Sequence, residues 1–376
     1  MRVCGITAEY NPFHKGHAYQ LAMTQAQCPA DITVAVMSGN FVQRGEPAVL
    51  DKWTRAEAAV RNGVDIVFEL PYIYAVQSAG PFSHGALSLL KQAGITDLSF
   101  GSECGNLENL QEIAATPINP DHLRESLRNG KSYPQAYSLL TTTMEPNDIL
   151  AVCYLKEIAG TGIHPVLIPR TGRYNSDELN DMPSAMAIRS ALRNGTDPGD
   201  TTVLRDALLN NEHVYFEDYY PYLRQVLLLS SAADLSRYLM VTEGIENHLK
   251  KAAEQSDTAE EFLHNAVNWR YTASRIRRTC LHIMTQTTKE EVRALEGTTV
   301  LRILAFNDSG RRWLKELRRR KIPVASRFAA MPEALRRIEY RSTLLYASCF
   351  SKEERKRILQ AEIEGAHYIR TEGESV

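Results

Sequence analysis

The chain has 376 residues, of which 44% are hydrophobic and 23% charged, and its formal net charge is −2. This composition excludes a disordered or fibrous protein, the length suits a full core and two domains, and the near-neutral total says nothing about a charged partner. No apolar stretch reaches the roughly 20 residues that a membrane helix needs. Six cysteines (Cys4, Cys28, Cys104, Cys153, Cys280 and Cys349) are scattered without a C-x-x-C pair. They read as buried or idle thiols of a reducing compartment, not as a disulfide frame or a zinc site. With no signal peptide ahead of the first strand-like run, the expected location is cytoplasmic.

Val3 to Ala8 predicts a short buried strand, followed by a polar loop and a helix to about Gln27. Ile32 to Met37 predicts a second strand, and a helix from Trp53 to Arg61 stops at Asn62-Gly63, a good cap pair. Asp65 to Leu70 is a third strand closed by Pro71; a helix over Pro81 to Gln92 leads to a fourth strand, Leu98 to Phe100. Pro165 to Ile168 is a fifth strand, and Ser184 to Leu192 a helix. Strands separated by helices of this length are β-α-β units with right-handed crossovers, so the sheet is parallel and Rossmann-like. In such sheets ligands lie beyond the carboxyl ends of the strands. After the breaker-rich turn Arg193 to Gly199 helical periodicity dominates. The expected fold is therefore α/β over residues 1–195, followed by a mostly α-helical domain over 196–376, with a frayed tail from Thr371 to Val376.

The loop after the first strand reads Glu9-Tyr10-Asn11-Pro12-Phe13-His14-Lys15-Gly16-His17 and feeds a helix N-terminus. Such a terminus presents unpaired N–H groups and partial positive charge, a ready anion site. His14 and His17 lie three residues apart, so both imidazoles can face one way on the first turn. Gly16 offers a close approach of phosphate to backbone. Lys15 is either a point charge for that phosphate or a solvent-facing lysine. Two donors aimed at a triphosphate are what transfer at phosphorus needs. No Ser/His/Asp or Cys/His order suggests a covalent intermediate.

Phe13-His14-Lys15-Gly16-His17 resembles the histidine motif of the nucleotidylyltransferase superfamily. The longer string from Ala8, together with Met37-Ser38-Gly39-Asn40-Phe41-Val42-Gln43-Arg44-Gly45-Glu46-Pro47-Ala48, resembles the bacterial tRNA(Met) cytidine acetate ligase family. Glu69-Leu70-Pro71, Phe100-Gly101-Ser102-Glu103, Pro146-Asn147-Asp148-Ile149-Leu150, Arg170-Thr171-Gly172, Arg270-Tyr271-Thr272 and Arg275-Ile276-x-Arg278 extend the likeness over nearly the whole chain. The resemblance implies that acetate attacks the α-phosphate of ATP, and that the acetyl group then passes to N4 of the wobble cytidine of elongator tRNA(Met). It implies ATP contacts at Thr7, Ala8, Glu9, Tyr10, Asn11, Pro12, Phe13, His14, Lys15, Gly16, His17, Ala18, Tyr19, Gln20, Gly101, Asn147 and Arg170, with His14 and His17 catalytic. Mg²⁺ is expected only as the companion of ATP, with no protein metal ligands. No protein partner is implied.

Ser184-Ala185-Met186-Ala187-Ile188-Arg189 resembles the superfamily's second phosphate motif, with Ser184 and Arg189 as phosphate contacts. It departs from the pattern where a second hydroxyl is expected, around Met186. Asn147 is also an ordinary helix cap, with Asp148 beside it. The loop of Ser38, Gly39, Gln43 and Arg44 is a candidate cover for the acyl pocket. Between Asn268 and Arg357 there are 22 Lys or Arg against 9 Asp or Glu, the footprint of a phosphate-backbone partner or else a solvated basic face. The tRNA candidates are Arg270, Arg275, Arg277, Arg278, Arg318, Arg319 and Arg320. Trp269, Tyr271 and Trp313 are either candidates for base stacking or core aromatics, and Trp313, inside a short amphipathic stretch, reads as core. Two rivals stay open on residues alone: an adenylyltransferase of a small phosphorylated metabolite, and a nucleotide-sensing RNA-binding factor.

Overall fold

The computed structural model describes residues 1–116, 144–170 and 183–370. The expected tail from Thr371 and the pair Thr171-Gly172 lie outside the described residues. Five strands, β1 (Val3–Ala8), β2 (Ile32–Ser38), β3 (Ile66–Leu70), β4 (Asp97–Ser102) and β5 (His164–Pro169), form a parallel sheet in the order β5-β4-β1-β2-β3. The register pairs Val3 with Ile32 and Cys4 with Asp97. Helices α1 (Lys15–Gln27), α2 (Lys52–Arg61), α3 (Ala79–Gln92), α4 (Leu107–Ala115) and α5 (Pro146–Ile158) cover the sheet, and α6 (Ala185–Arg193) follows β5. The strands read as near-continuous apolar runs because both faces are covered: β2 and β3 are buried at every position.

Beyond α6 the longer helices are α7 (Tyr220–Leu229), α8 (Ile245–Glu254), α9 (Ala259–Ala266), α10 (Ala273–Met284), α11 (Asp308–Arg319), α12 (Glu333–Ala347) and α13 (Lys352–Ile363). The expected mostly helical region is there, and it also returns strands to the sheet. Leu301–Phe306 forms β6, which pairs antiparallel with β3, and short strands β7 (Val324–Ala325) and β8 (His367–Tyr368) pair with β6. Helical periodicity hid β6, because a six-residue apolar run is as compatible with a buried helix segment as with a strand. The change of texture near residue 195 is therefore not a boundary of the sheet.

The two parts also share a core. Phe41, Tyr72, Ile73 and Val76 of the first part pack in one cluster with Tyr219, Ile276 and Tyr346 of the second. Polar ties cross the same seam: Tyr346 Oη donates to Ala48 O (3.0 Å) and Arg357 pairs with Asp51 (2.7 Å). Strand order reverses at β1, which has β4 on one side and β2 on the other. The crevice beyond the carboxyl ends of β1 and β4 is where a ligand is expected in an open α/β sheet.

Candidate active site

A solvent-open cleft of about 1150 Å³ occupies that crevice. Of the predicted nucleotide residues it is lined by Thr7, Ala8, Glu9, Tyr10, Asn11, His14, His17, Gln20, Gly101, Asn147 and Arg170, and by Ser184 and Arg189 of the second motif. Residues distant in sequence thus meet at one place, from the ends of β1, β4 and β5 and the starts of α1, α5 and α6. Pro12, Phe13, Lys15, Gly16, Ala18 and Tyr19 do not line it. Phe13 is fully buried in the core, and Lys15 pairs with Asp200 at 2.9 Å.

Gly16 also has a reason inside the fold. A Cβ there would lie 2.8 Å from His14 Cε1, so the missing side chain makes room for the His14 ring. That ring caps α1, with Gly16 N donating to His14 Nδ1 (3.0 Å), while His14 N donates to His17 Nδ1 (3.3 Å). Both Nδ1 atoms therefore accept, and Nε2 carries the proton of each neutral ring. The ring centroids are 3.9 Å apart. Burial, and then the charges of Arg170 and Arg189, pull His14 down to about 3. Burial and the neighbouring His14 and Arg170 hold His17 well below its ordinary value. The free site thus presents two neutral N–H donors.

A pH consequence follows. The unfolded histidines take up protons below about 6.5, while the folded pair stays neutral, so their contribution to stability falls as pH drops through that range. Activity behaves differently. The profile of kcat/KM for ATP, which reports the free enzyme, is expected to show no inflection near 6.5 from these histidines. A histidine-like inflection removed by His14→Asn or His17→Asn would contradict the neutral-pair assignment.

Arg189 donates to Asn11 O (2.8 Å), and Ser184 caps α6 by accepting from Ala187 N (3.0 Å). Met186, where a hydroxyl was expected, lines the cleft. Asn147 donates to Glu103 Oε1. Asp148 lies outside the cleft and accepts from Ser102 Oγ (2.5 Å) and Glu103 N (3.0 Å), which fixes the turn after β4. Gln43 and Arg44 of the candidate cover line the cleft, whereas Ser38 is buried.

Sequence reasoning missed two groups. Phe82, Phe100, Leu150 and Tyr154 supply apolar lining, and nothing in their spacing distinguishes them from core. Arg55 is the other: fully buried in α2, it donates to the carbonyls of Glu9, Ser38, Gly39 and Leu50, so it ties the ends of β1 and β2 together. The signal was there, since Arg55 sits between Trp53 and Ala56 on the buried face of the helix.

The basic candidates divide. Arg270 and Arg275 flank the ring of Tyr271 at 5.4 and 5.3 Å and pair with Glu243. Tyr271 is buried, Trp269 is 65% exposed, and Trp313 is core as expected. Arg277 pairs with Glu46 (2.9 Å), and Arg278 donates to Gln43 O (2.9 Å), so both hold the loop that borders the cleft. Gly45 makes that contact possible: its φ is +76°, and a Cβ would sit 2.6 Å from Arg278 N. Arg318, Arg319 and Arg320 end α11, with Arg319 and Arg320 paired to Glu316. Arg320 approaches Gly94, just before β4 begins, so this run lies at the amino edge of the sheet, opposite the cleft.

Among the described residues no group of three His, Cys, Asp or Glu could hold a metal ion. Glu9, the single carboxylate among the described lining residues of the cleft, accepts from Gln43 N at 2.7 Å. Burial raises its pKa despite Arg189, Arg44 and Arg55 nearby. These residues do not form a cage for Mg²⁺, whose oxygen ligands would have to come mainly from the triphosphate itself.

A parallel sheet with a nucleotide-sized cleft at its switch point and paired histidines on a helix N-terminus defines a nucleotidyl transferase of the HIGH class, and the HIGH Nucleotidyl Transferase family model matches residues 1–361. A tRNA(Met) cytidine acetate ligase from Geobacillus sp. (strain WCH70) is 33% identical over 96% of this chain and 98% of its own. The crystal structure of Thermotoga maritima TmcAL (apo, form I) matches with a TM-score of 0.89 and 30% identity, over 99% of this chain and 100% of that one. The same protein bound with alpha-thio ATP matches with a TM-score of 0.86 and 31% identity, over the same shares. The chain belongs to the tRNA(Met) cytidine acetate ligase family. No helix among the described residues is long and apolar enough to cross a membrane.

Proposed function

We propose that the protein activates acetate with ATP in this cleft and acetylates N4 of the wobble cytidine of elongator tRNA(Met). The observation that carries the reading is the pair of neutral histidines, tautomerically fixed by the backbone, lining the cleft beside Arg170 and Arg189. A carboxylate oxygen of acetate attacks the α-phosphorus. The bond from that phosphorus to the bridging oxygen breaks, and pyrophosphate leaves with the electron pair. The Nε2–H groups of His14 and His17 and the two guanidinium groups stabilise charge as it grows on the phosphate oxygens. The cytidine amine then attacks the acetyl carbon. AMP departs with the electron pair of the broken C–O bond, and the amine proton is released.

Positioning and charge suffice for both steps, without a covalent enzyme intermediate. The ligase relatives and the alpha-thio ATP complex of the Thermotoga maritima protein support ATP as substrate and tRNA as acceptor. Mg²⁺ accompanies the triphosphate, and no step depends on a protein-held metal. Arg270, Arg275 and Arg277, at and before α10, serve phosphates near the modified base, while Arg318 to Arg320 serve more distant ones. The test is mass spectrometry of tRNA(Met) after incubation with ATP and isotope-labelled acetate. A labelled acetylcytidine is expected, and an unlabelled cytidine overturns the reading.

A further inference from the structure

Beside the nucleotide cleft lies a second hollow of about 740 Å³, and the two share Arg44, Met186 and Arg189 as a common wall. We propose that this hollow seats the acceptor nucleobase and selects cytosine through Glu46, an inference that rests on the function proposed above. Glu46 lines this second hollow and is held between Arg277 (2.9 Å) and Arg189 (3.9 Å), which fixes its carboxylate beside the shared Arg189. A carboxylate accepts hydrogen bonds only, and the exocyclic amine of cytosine is a donor. Uracil offers a carbonyl oxygen at the same place and meets the carboxylate unpaired. The ring of Tyr215 provides a flat face in the same hollow, already covered on one side by the Arg193 guanidinium at 4.1 Å. Aromatic rings and guanidinium planes are the surfaces on which unstacked RNA bases settle.

The placement fits the transfer step. A base seated here has its amine at Glu46, whose partner Arg189 also lines the cleft where the acyl-adenylate forms. The Gln43 to Glu46 loop is held by Arg277 and Arg278 of α10, so the helix behind Arg270 and Arg275 also positions this carboxylate. Loop and basic helix form one unit.

Two variants of the full-length protein test the assignment: Glu46→Gln, which keeps the size but loses the acceptor-only character, and Ser190→Trp, which fills the hollow while leaving Glu46 itself unchanged. Each is measured for acetate-dependent ATP–pyrophosphate exchange and for single-turnover acetylation of a tRNA(Met) transcript. The expected result is exchange within about twofold of the parent and transfer at least about tenfold slower, the scale of one lost base-reading contact. Ser190→Trp transferring at the parental rate overturns the proposal. So does loss of exchange in step with transfer, since the hollow would then belong to the nucleotide cleft. A parent protein that shows no acetate-dependent exchange overturns the underlying reading as well, so the two failures are distinguishable.

Discussion

Replacing either His14 or His17 with alanine is expected to lower acetate-dependent ATP–pyrophosphate exchange by about 10²–10³-fold, the usual loss when one preorganised donor to a developing oxyanion is removed. The rings are held by main-chain N–H groups and sit 3.9 Å apart, so the loss comes from the donor itself and not from a wandering neighbour. Each variant also removes one acceptor from the start of α1, worth about 1 kcal/mol as a helix cap. Thermal stability should therefore shift by only a few degrees while activity collapses. Exchange at the parental rate in either variant refutes the catalytic assignment. A loss of folding comparable to the loss of activity would make these histidines structural.

The second large effect lies away from the chemistry. Lys52 and Arg302 are buried and share Glu69 and Glu362 in four contacts of 2.7 Å each. The members come from α2, β3, β6 and α13, so the cluster fastens the returning C-terminal strand and last helix to the sheet. Burial pushes the Glu362 carboxyl up, but Lys52 and Arg302 outweigh it and hold it below its ordinary value. Glu362→Ala leaves two buried cations facing one carboxylate of that pair, and breaking a buried pair in this way costs about 3–5 kcal/mol. The check is thermal or denaturant unfolding at pH 7. A change below 1 kcal/mol contradicts a dry, fully paired cluster.

Glu339, beside the same cluster, should respond in the opposite sense. Burial and then the charge of Glu69 raise its pKa, and it accepts a hydrogen bond from Tyr72 N at 2.8 Å. The folded protein therefore holds a proton that the unfolded chain releases above about 4.5, and stability falls as pH rises from there through the raised pKa. Glu339→Gln keeps an acceptor for Tyr72 and removes that dependence. It should be neutral at low pH and increasingly stabilising relative to the parent as pH rises. A steady loss at every pH would mean that the carboxylate is ionised and paired.

Much of the architecture could be read locally. The alternation of apolar runs with helices predicted β1 to β5 and their helices to within one or two residues at most ends, because strand and helix periods and cap residues are local properties. The histidine loop was legible for the same reason, since a strand, a turn and a helix N-terminus are contiguous there. β6 was not. Its six residues carry no period that separates strand from buried helix, and only pairing with β3, more than two hundred residues earlier, decides its state. The Lys52 cluster escaped for a related reason: a buried charge looks like a surface charge until its partners arrive from other segments.

The sequence by itself determined the α/β plan, the position of the histidines on a helix N-terminus and the concentration of positive charge after residue 268. Tertiary structure alone decided which lining residues meet. It brought Gly101, Asn147, Arg170 and Arg189 to the end of β1, and it set Arg277 and Arg278 against the Gln43 to Glu46 loop while sending Arg318 to Arg320 to the opposite edge. The physical reason is common to all of these. Hydrogen-bond periodicity and capping act over a few residues, whereas the meeting of charges and the burial of a shared core are settled only when distant segments exclude water together.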